Sequence, residues 1–174
     1  ESALKFAAGL YLSTPKQRSV FRATYFETHA ENGIYRLIST NMMKAFNIDK
    51  SVIRGVELEL DSRPVDFFQT VLRATIQDPR DDGLSKAYNG NLLPGEPVHS
   101  YYAEGTVFLP LHLSSTVSMD YRSGIYSDRM NFTRQPPVAH YNASLAWQPW
   151  NKTRLVFAVN NISDETYRNI FTPY

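Results

Sequence analysis

Residues 53–60 read Ile-Arg-Gly-Val-Glu-Leu-Glu-Leu, and the alternation of Val56, Leu58 and Leu60 with Glu57 and Glu59 constrains this chain more than any other feature. A period of two puts one set of side chains on each face of an extended strand. An apolar face and an acidic face back to back require two different solvents, one on each side of a single sheet. The same period runs through the whole chain, and helical spacing is scarcely found.

Eight such runs are predicted. The first alternates Leu4, Phe6, Ala8, Leu10 and Leu12 with Lys5, Gly9, Tyr11 and Ser13, and ends at the turn Thr14-Pro15-Lys16-Gln17. The others cover about Arg18 to Thr28, Ser51 to Asp61, Phe67 to Gln77, Ser100 to Leu109, Leu113 to Ile125, Ala139 to Gln148 and Thr153 to Asn161. Soluble strands cluster near ~5–6 residues, whereas a tilted bilayer-crossing strand needs ~9–11, and these runs have the longer length. Connections alternate as well. They are short at Thr14–Gln17, Ser62–Asp66, Pro110–His112 and Pro149–Lys152, and long at His29–Lys50, Pro79–His99 and Ser127–Val138. Short turns at one end and long loops at the other are the layout of an outer-membrane barrel. The fold class expected is all-β: an antiparallel up-and-down transmembrane β-barrel segment of about eight long strands.

Composition agrees without deciding. Eighteen Lys and Arg against 17 Asp and Glu leave no basic excess to attract nucleic acid, so no nucleic-acid partner is expected. Cys is absent, which removes disulfides, thiolate metal sites and a Cys nucleophile. No stretch approaches the ~20 apolar residues of a membrane helix. Mean hydropathy is −0.36, a value compatible with strands that are only half apolar. Aromatic residues group in two bands: Phe67, Phe68, Phe108, Trp147 and Trp150 near the short turns, and Tyr25, Phe26, Tyr101, Tyr102, Tyr126 and Tyr141 near the long loops. Two belts at two interfaces are expected from such placement.

Four segments carry a family resemblance. Arg54-Gly55-Val56-Glu57-Leu58-Glu59 resembles the mid-barrel strand of TonB-dependent outer-membrane receptors. In chain order, Asn91-Leu92-Leu93-Pro94-Gly95-Glu96-Pro97-Val98-His99 is similar to the loop that introduces their next strand. Tyr121-Arg122-Ser123-Gly124 with Asp128-Arg129-Met130-Asn131 resembles their tyrosine strand and Asn-bearing loop, and Val159-Asn160-Asn161-Ile162-Ser163-Asp164-Glu165-Thr166-Tyr167 resembles the segment before their final strand. The resemblance implies a barrel of ~22 strands. Residues 1–174 are then a C-terminal portion of it, without the N-terminal plug and the last strand. It further implies a location in the bacterial outer membrane, contact with its lipid, uptake of a scarce extracellular ligand such as an iron–siderophore or other metal chelate, and energy from TonB acting on the plug.

Site expectations follow. Glu57 and Glu59 share a face about 7 Å apart at the strand rise, a spacing compatible with a glycosidase-like carboxylate pair but more simply the polar wall of a barrel lumen. Arg73, Asp120 and Arg122 sit on the polar parity of other strands and are expected on the same lumen surface. Tyr35, Arg36, Tyr88, Arg129 and Phe132 lie in the long loops and are the candidate ligand contacts. The four His residues are scattered without metal-ligand spacing, and no nucleophile elbow or phosphate loop occurs, so neither an enzyme nor a cofactor is expected. Asn131, Asn142, Asn151 and Asn161 each begin an Asn-X-Ser/Thr triplet. Asn142 lies mid-strand, where a glycan would disrupt pairing, and the triplets are read as coincidence. Two rival architectures stand beside the receptor: a closed eight-stranded barrel with a structural or adhesive role, which requires the first and eighth strands to pair, and a soluble β-sandwich binding module, which requires two facing sheets.

Overall fold

The computed structural model describes residues 2–39 and 42–166, and within that span the side chains of 17, 35–39 and 42–46 lie outside the description. The described residues form one sheet of eight antiparallel strands in sequence order. These are β1 (Ser2–Ser13), β2 (Ser19–Ser39), β3 (Met42–Val65), β4 (Phe68–Asp81), β5 (His99–Leu109), β6 (Leu113–Arg122), β7 (Val138–Trp150) and β8 (Thr153–Val159). Strands β1 and β8 stand at opposite ends of the order and are not paired with each other, which removes the closed eight-stranded barrel. A single sheet likewise removes the sandwich.

Register makes the two faces explicit, because directly opposed residues share a face. One row runs Leu12, Phe21, Leu60, Leu72, Ala103, Met119, Tyr141 across seven strands. The next runs Leu10, Ala23, Leu58, Ala74, Tyr101, Tyr121. On β4 this apolar parity carries Phe68, Thr70, Leu72, Ala74 and Ile76, a span of about 26 Å along the strand and close to the ~25 Å apolar band of membrane barrels. Beyond the row Tyr25, Val56, Ile76, His99 the same face becomes charged, with Glu27 opposite Arg54 and Arg54 opposite Asp78. The boundary of the apolar band is therefore one row sharp. With no second layer to cover this face, Leu10, Val56, Leu72, Val117 and Phe157 remain exposed.

Two expectations are corrected. His29–Lys50 is not a loop: β2 and β3 continue as a hairpin to the pair Ser39 and Met42, with Tyr35 opposite Phe46 and Arg36 opposite Ala45. Backbone pairing there needs no apolar pattern to persist, and Asn32 (φ 54°) interrupts the regular pattern only locally. The aromatic belts are also smaller than expected. Phe26 shares its face with Gly55, Tyr102 with Arg73 and Phe108 with Ser114, so all three belong to the polar parity. Tyr141 falls in the middle row. Tyr25, Tyr101 and Tyr121 at one boundary, and Phe68 and Trp147 at the other, keep the apolar parity.

Short turns fall at all four predicted places, but two are tighter than predicted, because β3 runs through Ser62–Val65 to a turn at Asp66-Phe67 and β7 runs through Trp150 to one at Asn151-Lys152. Pro15–Gln17 is a tight turn with Lys16 at φ 64°, and Leu111 and His112 both take positive φ (61° and 58°), the geometry of a two-residue hairpin turn matched to strand twist.

Candidate functional site

Two regions collect polar chemistry: the middle of the polar face, and the loops at the end of the sheet away from the short turns.

On the polar face one row crosses seven strands: Tyr11, Arg22, Glu59, Arg73, Tyr102, Asp120, His140. The period that keeps Leu58 and Leu60 on the apolar side delivers Glu59 here. Arg22 lies 3.1 Å from Glu59 and 3.6 Å from Asp61, and Arg73 lies 3.9 Å from Glu59. The guanidinium of Arg22 sits over the Tyr11 ring at 5.7 Å, and that of Arg73 over Tyr102 at 5.6 Å. Tyr102 donates to Glu104 at 2.6 Å. Arg73, Tyr102, Asp120, Arg122 and His140 line one concavity of about 360 Å³. Glu57 shares this face, opposite Thr24 and Thr75. The carboxylate of Glu59 thus faces cations, and no second acid opposes it across either ladder. Paired, solvated charges of this kind form a polar wall.

The loops are built rather than open. Residues 82–98 and 123–137 pack over the end of β4. Asp81, the last residue of β4, is 1% exposed. Its Oδ1 accepts from the Gly83 N–H at 2.9 Å and from Arg129 Nη2 at 3.2 Å, and its Oδ2 accepts from Arg129 Nε. The Arg129 guanidinium also covers the Tyr88 ring at 4.3 Å. A Cβ on Gly83 would stand 3.0 Å from Asp81 Oδ1 and 3.1 Å from Arg129 Nη2, so the absent side chain at 83 lets this pair form. Asn91 Nδ2 donates to the Arg129 carbonyl at 2.9 Å, while Asn131 accepts from the Leu92 N–H at 2.8 Å and donates to the Leu92 carbonyl at 2.9 Å. Asn131 takes φ 59°, a conformation Asn tolerates better than most residues. Ile48 of β3, Leu93 and Ile125 are buried.

Loop electrostatics follow from the same contacts. The Asp128 carboxylate accepts from the N–H groups of Met130, Phe132 and Thr133. Partial desolvation works to raise its pKa, and the Thr133, Phe132 and Met130 bonds together hold it below the ordinary value. Burial pushes the Glu96 carboxyl up, partly offset by Gln77. The Asp81 carboxylate raises Arg129 further.

Among the ligand candidates, the structure brings Arg129 and Tyr88 together and leaves Phe132 82% exposed at the loop surface. Tyr35 and Arg36 lie on the β2 extension, and their side chains fall outside the described residues. Sequence reasoning missed Asp81. Asp81-Asp82-Gly83 reads as a turn, and nothing local marks one of two adjacent acids as buried. Among the described residues no group of three or more His, Asp or Glu is placed to hold a metal ion.

Eight antiparallel strands, apolar on one face and charged on the other, with short turns at one end and built loops at the other, have the architecture of a wall segment of a membrane β-barrel. The family model described as TonB dependent receptor-like, beta-barrel matches residues 1–162, and the chain belongs to that family, whose members are outer-membrane receptors and transporters rather than enzymes. Similar solved structures include the siderophore receptor PiuA from Acinetobacter baumannii (23% identity, 94% of this chain and 24% of that one, TM-score 0.77). The ferric yersiniabactin uptake receptor FyuA from Yersinia pestis is also similar (20%, 94% and 25%, 0.78), as is the ferric-catecholate import receptor Fiu from E. coli K12 (18%, 95% and 24%, 0.73). The chain spans about a quarter of the length of these structures. No curated protein sequence matches it.

Proposed function

We propose that this chain supplies part of the barrel wall and two outer loops of a receptor that captures a scarce metal chelate, of the iron–siderophore class, at the surface of a bacterial outer membrane. Import then draws on TonB acting through a plug domain contributed by sequence beyond these residues. The observation that carries this reading is the asymmetry of the two ends of the sheet. Tight turns close one end, whereas the other carries loops folded around a buried ion pair, an investment expected of a binding surface and not of a plain pore. Membership of the receptor family and likeness to ferric-siderophore receptors support the choice of cargo. In this reading the apolar face meets lipid. The face bearing Glu57, Glu59, Arg73, Asp120 and Arg122 lines the lumen, where burying those charges in hydrocarbon would otherwise cost several kcal/mol. Tyr88 and Phe132 belong to the surface offered to cargo, together with the β2–β3 extension that carries Tyr35 and Arg36.

The test is uptake by the whole receptor in iron-starved cells. A strain lacking it is given radioiron-labelled catecholate, hydroxamate and mixed-ligand chelates, with and without a functional TonB. Energy-dependent loss of uptake for one chelate class supports the reading. Uptake of every class unaffected by deletion of the receptor overturns it.

A further inference from the structure

We propose that Asp81 and Arg129 are positioning residues that lock the loops 82–98 and 123–137 into one body on the end of β4, so that the two outer loops are placed together. The inference rests on the reading of these loops as a capture surface, and adds that Arg129 acts through Asp81 and not on cargo.

Four observations lead here. Asp81 is 1% exposed, and the Arg129 side chain, 17% exposed, is the ion-pair partner it meets. The guanidinium gives Asp81 both Nε and Nη2 and lays its flat face on Tyr88, which leaves little of it to grip a ligand. The loops are also joined through groups that belong to one on each side: Asn91 to the Arg129 carbonyl, Asn131 to both backbone groups of Leu92, and the Gly95 N–H to the Tyr126 carbonyl at 2.9 Å. Finally, loop 82–98 is tied to the sheet by Leu93 N–H to the Pro79 carbonyl near the end of β4 and by Asp82 N–H to the Lys50 carbonyl within β3, each at 3.0 Å.

Separating the loops would strand a buried carboxylate, and breaking one partner from a buried pair is far costlier than losing an exposed one. Moving loop 123–137 away from loop 82–98 and the end of β4 is therefore disfavoured. Leu84, 87% exposed, and Phe132 are then carried by one rigid unit at fixed relative positions. Asp81 and Arg129 are both largely withdrawn from solvent, so salt screens the pair much less than it would an exposed one.

The experiment is hydrogen exchange by mass spectrometry on the full-length receptor in detergent micelles, comparing wild type with Arg129→Leu, Asp81→Asn, Arg129→Lys and the double variant Asp81→Asn/Arg129→Leu. Either single loss is expected to speed exchange roughly tenfold or more in both loops, including the amides of Leu92, Leu93 and Gly95 when the substitution lies in the other loop. Arg129→Lys, which keeps charge without the two-point fork, should fall between, and the double variant should be less than additive. Faster exchange confined to the substituted residue's own loop overturns the proposal, as does loss of chelate binding by Arg129→Leu with unchanged exchange, which would make Arg129 a contact. Joint loosening with unaltered uptake of the radioiron-labelled chelates upholds the lock and overturns the capture reading, so the two fail separately.

Discussion

Phe26 lies across Gly55: a Cβ at position 55 would stand 2.8 Å from the tip of the Phe26 ring and 2.5 Å from the Ile76 carbonyl oxygen. The two residues are cross-strand partners on the polar face, and the ring covers backbone that a glycine leaves bare. Gly55→Ala is expected to destabilise the full-length receptor by about 1–3 kcal/mol through overpacking against a carbonyl that cannot move aside. Phe26→Ala should relieve only part of that loss, because the Ile76 oxygen remains. Urea unfolding of the single and double variants in micelles, read by tryptophan fluorescence, checks both statements.

The two faces of β3 and β4 predict opposite tolerances. Leu72→Arg puts a charge in the middle row of the apolar face and should cost about 2–4 kcal/mol of membrane stability. Glu59→Gln removes two exposed ion pairs at 3.1 and 3.9 Å and should cost less than about 1 kcal/mol. Reversible folding into lipid vesicles, followed by the mobility difference between folded and unfolded barrel on unheated gels, compares them. Equal costs would contradict the assignment of lipid and lumen faces.

The loops predict two pH dependences of opposite sign. Asp128 is held below its ordinary value of 3.8. Its contribution is present above that value and is lost as pH falls through the folded-state pKa. Glu96 is raised above 4.5. Its contribution is complete at lower pH and is lost as pH rises through the folded-state value. Exchange at the amides of Met130, Phe132 and Thr133, corrected for the intrinsic rate, should therefore increase on acidification, and Asp128→Ala should abolish that increase. Glu96→Gln should leave loop 82–98 more protected than wild type at neutral pH. A Glu96→Gln variant less protected at neutral pH would contradict the sign.

Residues 1–174 expressed alone should aggregate in detergent-free buffer. All of β1 from Ser2 to Ser13 and all of β8 are exposed, each offers an unpaired backbone edge, and the apolar face has no cover. Size-exclusion chromatography with light scattering is sufficient. A monodisperse soluble species would count against the membrane assignment.

Much of the wall was legible in sequence because one physical requirement, different solvents on the two faces, repeats at every second residue. The fifth strand is predicted from Ser100 and begins at His99; the eighth is predicted from Thr153 and begins there. Where that requirement lapses, prediction lapses too. The β2–β3 extension past His29 is held in a continuous backbone ladder, whereas its residues lack the clean alternation that marks the strands below it. The sixth strand is predicted to Ile125 but ends at Arg122, and Ile125 beyond it is buried. Asp81 pairs with a residue 48 positions away, a separation that no local pattern encodes. Phe108 reads as a belt aromatic, yet it faces the polar side, where Arg63 covers its ring at 4.6 Å.

The linear order of the sheet bears on how such a wall is made. Each strand is hydrogen-bonded only to its neighbours in sequence, from β1 to β8. No strand waits for a distant segment to complete it, so each new hairpin can dock on the edge left by the previous one, and the entropy lost in each closure is that of a turn or one loop. Such a wall can grow by accretion from either end of the chain. During growth its vulnerable point is always the most recently added edge, which stays a template for the wrong partner until the next strand arrives.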